Sequence, residues 1–157
     1  MDPADITPEL FQVFIINVSV AILCGGAIGL ERQLRQKPAG LRVCILVVMT
    51  TAFFITIAQE LGSDTSGTLR VLSSIITGVG FLGAGVIFSQ GGRVQGITTA
   101  SLIWALAAVG VTIGLGYPGT ALSATFVVMG VLALVDWVEW MFPRLARGGA
   151  VELEKQK

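Results

Sequence analysis

The chain is a series of long apolar runs separated by short polar breaks. Leu10 to Leu30 carries no charge over 21 residues and ends Gly25-Gly26-Ala27-Ile28-Gly29-Leu30. A polar, mostly positive stretch follows from Glu31 to Gly40, punctuated by Pro38 and Gly40. Arg42 opens a second run, uncharged from Val43 to Gln59, and Leu61 to Gly67 reads as a loop. Arg70 opens a third, and Gly91-Gly92-Arg93 turns the chain again. From Val94 to Val135 there are 42 residues without a charge, which is too long for one bilayer crossing of about 20 residues and suits two. Gly114-Leu115-Gly116-Tyr117-Pro118-Gly119 is the break between them. The pattern predicts an all-α polytopic membrane protein with five transmembrane helices, at about 10–30, 42–60, 70–89, 97–115 and 119–141. Residues 1–142 form one transmembrane domain, and 143–157 a short, polar, cytoplasmic tail.

Charge sets the expected orientation. With the N-terminus outside and the C-terminus in the cytoplasm, the inner side holds Arg32, Arg35, Lys37, Arg42, Arg93, Arg144, Arg147, Lys155 and Lys157. Only Arg70 falls outside, a bias of nine to one toward the cytoplasm. The first nine residues hold three acids and no Lys or Arg, so they do not read as a secretory signal. Trp137, Trp140 and Phe142 mark an interfacial belt.

Composition agrees and narrows the chemistry. The 157 residues are 54% hydrophobic and 13% charged, against about 25% charged in a soluble domain. Net charge is zero, which leaves no basic field for nucleic acid. Histidine is absent, and with it the commonest general base and metal ligand. Cys24 and Cys44 lie in apolar runs as small hydrophobes and cannot make a zinc site alone. No cofactor and no enzymatic role is expected, and the sequence leaves any metal site unknown.

Gly78-Val79-Gly80-Phe81-Leu82-Gly83 has the form of a dinucleotide fingerprint. Such a fingerprint needs a strand before it and an acid about 20 residues on. The residue at that distance from Gly83 is Ile103, and no acid occurs between Asp64 and Asp136. Gly78, Gly80, Gly83 and Gly85 instead read as the close-packing face of the third span, as do Gly25 and Gly29 of the first.

The five-span arrangement gathers Glu31, Arg32, Arg42, Thr98, Thr99 and Ser101 near one end of the bundle. Glu31 pairs with Arg42 or Arg32, either as a structural ion pair or as a functional site. On the residues alone, Arg32, Arg35 and Lys37 read as topology determinants whose heads reach the lipid headgroups. Asp64 and Arg70 form a pair at the opposite face. Asp136 and Glu139 share a helix face, as a cation-attracting pair or as the wet end of a helix. Serines 73, 74 and 101 and threonines 77, 98 and 99 read as interhelical hydrogen bonders. Trp104 reads as a packing residue, and the Asn17-Val18-Ser19 sequon lies inside a span, where it has no meaning as a glycosylation site.

Four blocks in order, Gly26 to Gln33, Ala39 to Arg42, Thr77 to Ile87 and Gly96 to Ser101 with Trp104, resemble the MgtC/SapB family of bacterial inner-membrane proteins. The resemblance implies a five-span, multi-pass inner-membrane domain. It also implies a regulatory or accessory role in magnesium homeostasis or stress adaptation through other inner-membrane proteins, with virulence a property of the MgtC branch. Its functional positions correspond to Glu31, Arg32, Arg42, Asp64, Arg70 and the Gly78 to Gly85 run. Val43 stands where the family often has threonine, and Thr98 where the MgtC branch often has asparagine. Asp64 and Arg70 stand six apart without the usual proline. The chain stops at Lys157 without the MgtC branch's soluble C-terminal domain, so the expected form is the short, SapB-like one. The competing expectation is a small ion channel or transporter for magnesium or another cation, homo-oligomeric because five spans enclose little volume.

Overall fold

A computed structural model of the chain describes residues 8–62, 64–90 and 93–142. The acidic N-terminal residues 1–7, the Gly91-Gly92 turn and the tail from 143 lie outside the described residues. Among the described residues five helices are long and apolar enough to cross a membrane: α1 (Pro8–Leu34), α2 (Leu41–Glu60), α3 (Thr65–Val86), α4 (Ile97–Gly114) and α5 (Pro118–Met141). The protein is a multi-pass membrane protein. At 1.5 Å per residue even α4, the shortest at 18 residues, extends about 27 Å, close to the hydrocarbon thickness of a bilayer.

The boundaries differ from the sequence pattern where backbone chemistry outweighs charge. Helix α1 does not stop at Leu30 but runs on through Glu31-Arg32-Gln33-Leu34, because charged residues are good helix formers where they have partners or water. Helix α3 begins at Thr65 rather than Arg70, since the Asp64 carboxylate caps it by accepting from the Gly67 amide at 2.8 Å. It also ends earlier, at Val86. The fold is therefore nearly all-helical rather than all-α. A short antiparallel pair, β1 (Phe88–Gln90) with β2 (Arg93–Gln95), links α3 to α4, with Ser89 opposite Val94. The ladder gives partners to backbone groups that have left the helix.

Helix α2 lies between α1 and α4, and α4 is the most enclosed of the five. One buried cluster, including Cys24, Ile28, Cys44, Val48, Leu106, Val109 and Ile113, joins α1, α2, α4 and α5. A second, Ile55, Ile75, Val79, Ile103 and Ala107, fixes α3 to α2 and α4. The outward faces remain apolar: Phe81 is 80% exposed and Phe126 74%. In water such faces would be a liability, whereas in lipid they meet a solvent of their own polarity.

Candidate functional site

The polar centre of the fold is Arg32, on the last turn of α1. It is only 5% exposed. Nε and Nη2 both donate to the Pro38 carbonyl, at 3.2 and 2.9 Å, and Nη2 also donates to Thr99 Oγ1 at 3.2 Å. One guanidinium thus joins the end of α1, the α1–α2 turn and the start of α4. Only arginine offers donors spread along a planar fork for this purpose.

The turn it holds is conformationally demanding. Gln36 (φ 57°) and Ala39 (φ 59°) both take left-handed backbone, sparsely populated by residues with a Cβ. The turn is pinned at several points besides Arg32. The Lys37 amide donates to the Arg32 carbonyl at 3.0 Å, Cys44 Sγ donates to the Ala39 carbonyl at 3.2 Å, and Gln33 Oε1 accepts from the Leu41 amide at 3.3 Å.

Beside the arginine runs a chain of charges. Glu31 Oε1 pairs with Arg35 Nε at 2.6 Å, one helical turn on, and Arg35 Nη1 pairs with Asp136 of α5. Glu31 is thus paired with Arg35, not with Arg42 or Arg32. Its second oxygen, Oε2, is buried without a hydrogen-bond partner. Arg35 does not reach out to headgroups as a free charge but bridges two acids. Asp136 is committed to that bridge, and the side chain of Glu139 lies outside the described residues. Among the described residues no group of three or more His, Cys, Asp or Glu is placed to hold a metal ion.

A protein-family model described as the MgtC family matches residues 18–141. The chain belongs to the MgtC family. It is 43% identical over 116 residues to Protein MgtC of Salmonella typhimurium, covering 74% of this chain and 49% of that one. It is 45% identical over 115 residues to Protein MgtC of Brucella abortus, covering 73% of this chain and 48% of that one. The chain thus spans about half the length of the curated relatives it matches. No solved structure matches it.

The MgtC-matched segment contains every candidate site residue named above, but the fold brings only some of them together. Arg32 and Thr99 meet, while Glu31, next to Arg32 in sequence, pairs with Arg35 instead. Arg42 and Thr98 are exposed and outside the cluster, because each sits on the outer side of its helix while Cys44 and Thr99 face inward. Asp64 and Arg70 form no ion pair among the described residues, since Asp64 is spent on capping α3. Of the proposed interhelical hydrogen bonders, Ser74, Thr77 and Ser101 instead donate to carbonyls of their own helices, at Arg70, Ser73 and Ile97. Trp104 is 48% exposed rather than packed inside.

The glycines divide in the same way. A Cβ on Gly25 would sit 2.8 Å from Ile45 Cα, and one on Gly29 2.7 Å from Leu41 Cα, so these two let α1 lie directly on the α2 backbone. The run in α3 is different. Gly83 meets only Ala100 Cβ at an ordinary 3.7 Å, and Gly78, Gly80 and Gly85 have nothing within 4 Å. Within one MgtC-family chain they are not a close-packing face: Gly83 shares the buried side with Ile75 and Val79 but at ordinary contact distance, and Gly78, Gly80 and Gly85 lie off it.

Other residues of the structural core were missed. Gly110 and Gly114 press α4 against Thr51, Ala52 and Ile55 of α2; a Cβ on Gly114 would lie 2.6 Å from the Ala52 carbonyl oxygen. Their four-residue spacing repeats that of Gly25 and Gly29, a signal masked by reading Gly114 as part of a turn. Gly96 has φ 90° and a Cβ there would collide with the Val86 carbonyl, so only glycine lets α4 start against the end of α3. Asn17, dismissed as a sequon, is buried and donates to Thr56 Oγ1 at 3.1 Å, tying α1 to α2.

Proposed function

We propose that this MgtC-family chain is a regulatory or accessory protein of the bacterial inner membrane, acting in magnesium homeostasis or stress adaptation through contacts with other membrane proteins. The link to magnesium comes from the family resemblance. The choice of an accessory role over conduction is carried by one observation: the middle of the bundle is filled. Between the Arg32 end and the Arg70 end lie Val48, Ala52, Ile55, Leu106, Val109 and Ile113, all buried. The buried polar side chains of that zone are internally bonded, Thr51 to the Val47 and Val48 carbonyls and Asn17 to Thr56. Among the described residues no polar path crosses a single copy.

The runner-up, a cation pathway in an oligomer, is favoured by the unpartnered Oε2 of Glu31, a buried acceptor of the kind that marks ion routes in membranes. Ion flux into liposomes reconstituted with the purified chain separates the two. The accessory reading expects no flux above empty liposomes. Flux that disappears in Glu31→Gln would overturn it.

The proposed orientation, with the N-terminus outside, follows from nine basic residues against one. It expects a reporter fused after Lys157 to be active only in the cytoplasm, and periplasmic activity would reverse it.

A further inference from the structure

A cavity of about 530 Å³ lies between α2 and α3, with Arg70 among its lining residues. It opens on the bundle surface, since Thr50, Phe54, Ser74, Gly78 and Leu82 along it are all exposed. Two features create it. Helix α3 turns its Ile75–Val79 side to the core and leaves its flank free of α2, and Gly78 on that flank has no side chain to fill the space.

We infer that this groove binds one acyl chain of an anionic phospholipid, with the lipid phosphate on Arg70. From Arg70 to Leu82 the groove follows α3 for about 18 Å, somewhat more than the hydrocarbon depth of one leaflet, roughly 15 Å.

The lining decides the rest. The Thr50 hydroxyl donates to the Leu46 carbonyl, the Thr51 hydroxyl to the Val47 carbonyl at 2.8 Å, and the Ser74 hydroxyl to the Arg70 carbonyl at 3.0 Å. Each hydroxyl proton is therefore spent within its own helix, and below Arg70 the groove offers carbon. Arg70 itself has no ion-pair partner among the described residues, because Asp64, the acid nearest in sequence, accepts from Gly67. A guanidinium without an ion-pair partner among the described residues, at one end of an apolar slot, complements a phosphate joined to a long hydrocarbon tail.

The test is native mass spectrometry of the full chain released from micelles containing equal amounts of phosphatidylglycerol and phosphatidylcholine with the same acyl chains. The expected result is retention of phosphatidylglycerol about fivefold over phosphatidylcholine, the worth of one basic side chain at an anionic lipid surface. Arg70→Gln should equalise the two lipids while retaining both. Gly78→Leu fills the groove from an open position and should lose both, whereas Gly130→Leu, equally open on α5, should leave retention unchanged. Equal retention by the unsubstituted chain, or a preference that survives Arg70→Gln, overturns the proposal. So does a dimer mass that vanishes with Gly78→Leu while no lipid is carried, since a second copy would then be the occupant.

Discussion

Arg32 Nη2 donates to Thr99 Oγ1 across 67 residues of sequence, in a buried contact of 3.2 Å. The same nitrogen holds the Pro38 carbonyl, so the arrangement of α1, the turn and α4 depends on one side chain. Arg32→Lys, which keeps the charge but has no planar fork, is expected to lower the melting temperature in detergent. Thr99→Val removes one neutral acceptor from a charged donor and should destabilise by about 1.5–3 kcal/mol. A double-mutant cycle between Arg32→Gln and Thr99→Val checks the pair; additivity would show that the contact does not couple α1 to α4.

The two classes of glycine should respond oppositely to the same change. Gly25→Ala and Gly29→Ala force α1 off the α2 backbone and are expected to destabilise by about 1–3 kcal/mol, the usual range for overpacking. Gly78→Ala and Gly85→Ala place a methyl in open space and replace a poor helix former with the best one, so they should be neutral or mildly stabilising. Thermal denaturation of the four variants side by side is the measurement. Equal losses in both sets would mean that α3 packs against something else in the folded protein.

Asn17 and Thr56 form a buried polar pair between α1 and α2. Hydrogen bonds of this kind in membrane bundles average about 0.6 kcal/mol by double-mutant cycle, and this pair is expected near that figure. Thr56 keeps its own bond to the Ala52 carbonyl at 3.0 Å when Asn17 is removed, so Asn17→Val and the double variant Asn17→Val/Thr56→Val should lose similar amounts, and stability assays of the two check it.

The Glu31–Arg35–Asp136 chain ties the end of α1 to α5. Arg35 is 41% exposed, so screening limits what the contact contributes, and Asp136→Ala should destabilise by under about 1 kcal/mol. Charge reversal is more informative. Arg35→Glu faces two acids and should be clearly worse than Asp136→Ala, while Arg35→Glu/Asp136→Arg should recover part of the loss. No recovery in melting temperature would mean that the α1–α5 contact is not electrostatic.

Much of the architecture was legible because the bilayer imposes a single length scale. Runs of about 20 uncharged residues mark five spans, and among the described residues five helices long and apolar enough to cross a membrane stand at those places. The ends were legible only roughly. Charge density suggested that span 1 stops at Leu30 and span 3 starts at Arg70, while capping by Asp64 and continued helix through Glu31 and Arg32 set the true limits. The β1–β2 pair left no trace beyond a Gly-Gly turn.

The sequence alone determined that this is a membrane protein of five spans, that Gly25 and Gly29 sit together on one helix face, and that Glu31, Arg32 and Thr99 belong to one end of the bundle. Those facts follow from periodicity and from the length of apolar runs. Only the tertiary structure decided which side chain pairs with which. Helix rotation turned Thr99 inward and Thr98 outward, brought Arg35 to Asp136, and left Arg42 exposed. It also moved the close contacts from the conspicuous Gly78 to Gly85 run to Gly110, Gly114 and Gly96, because a glycine permits approach but only the neighbouring helix determines whether that space is used.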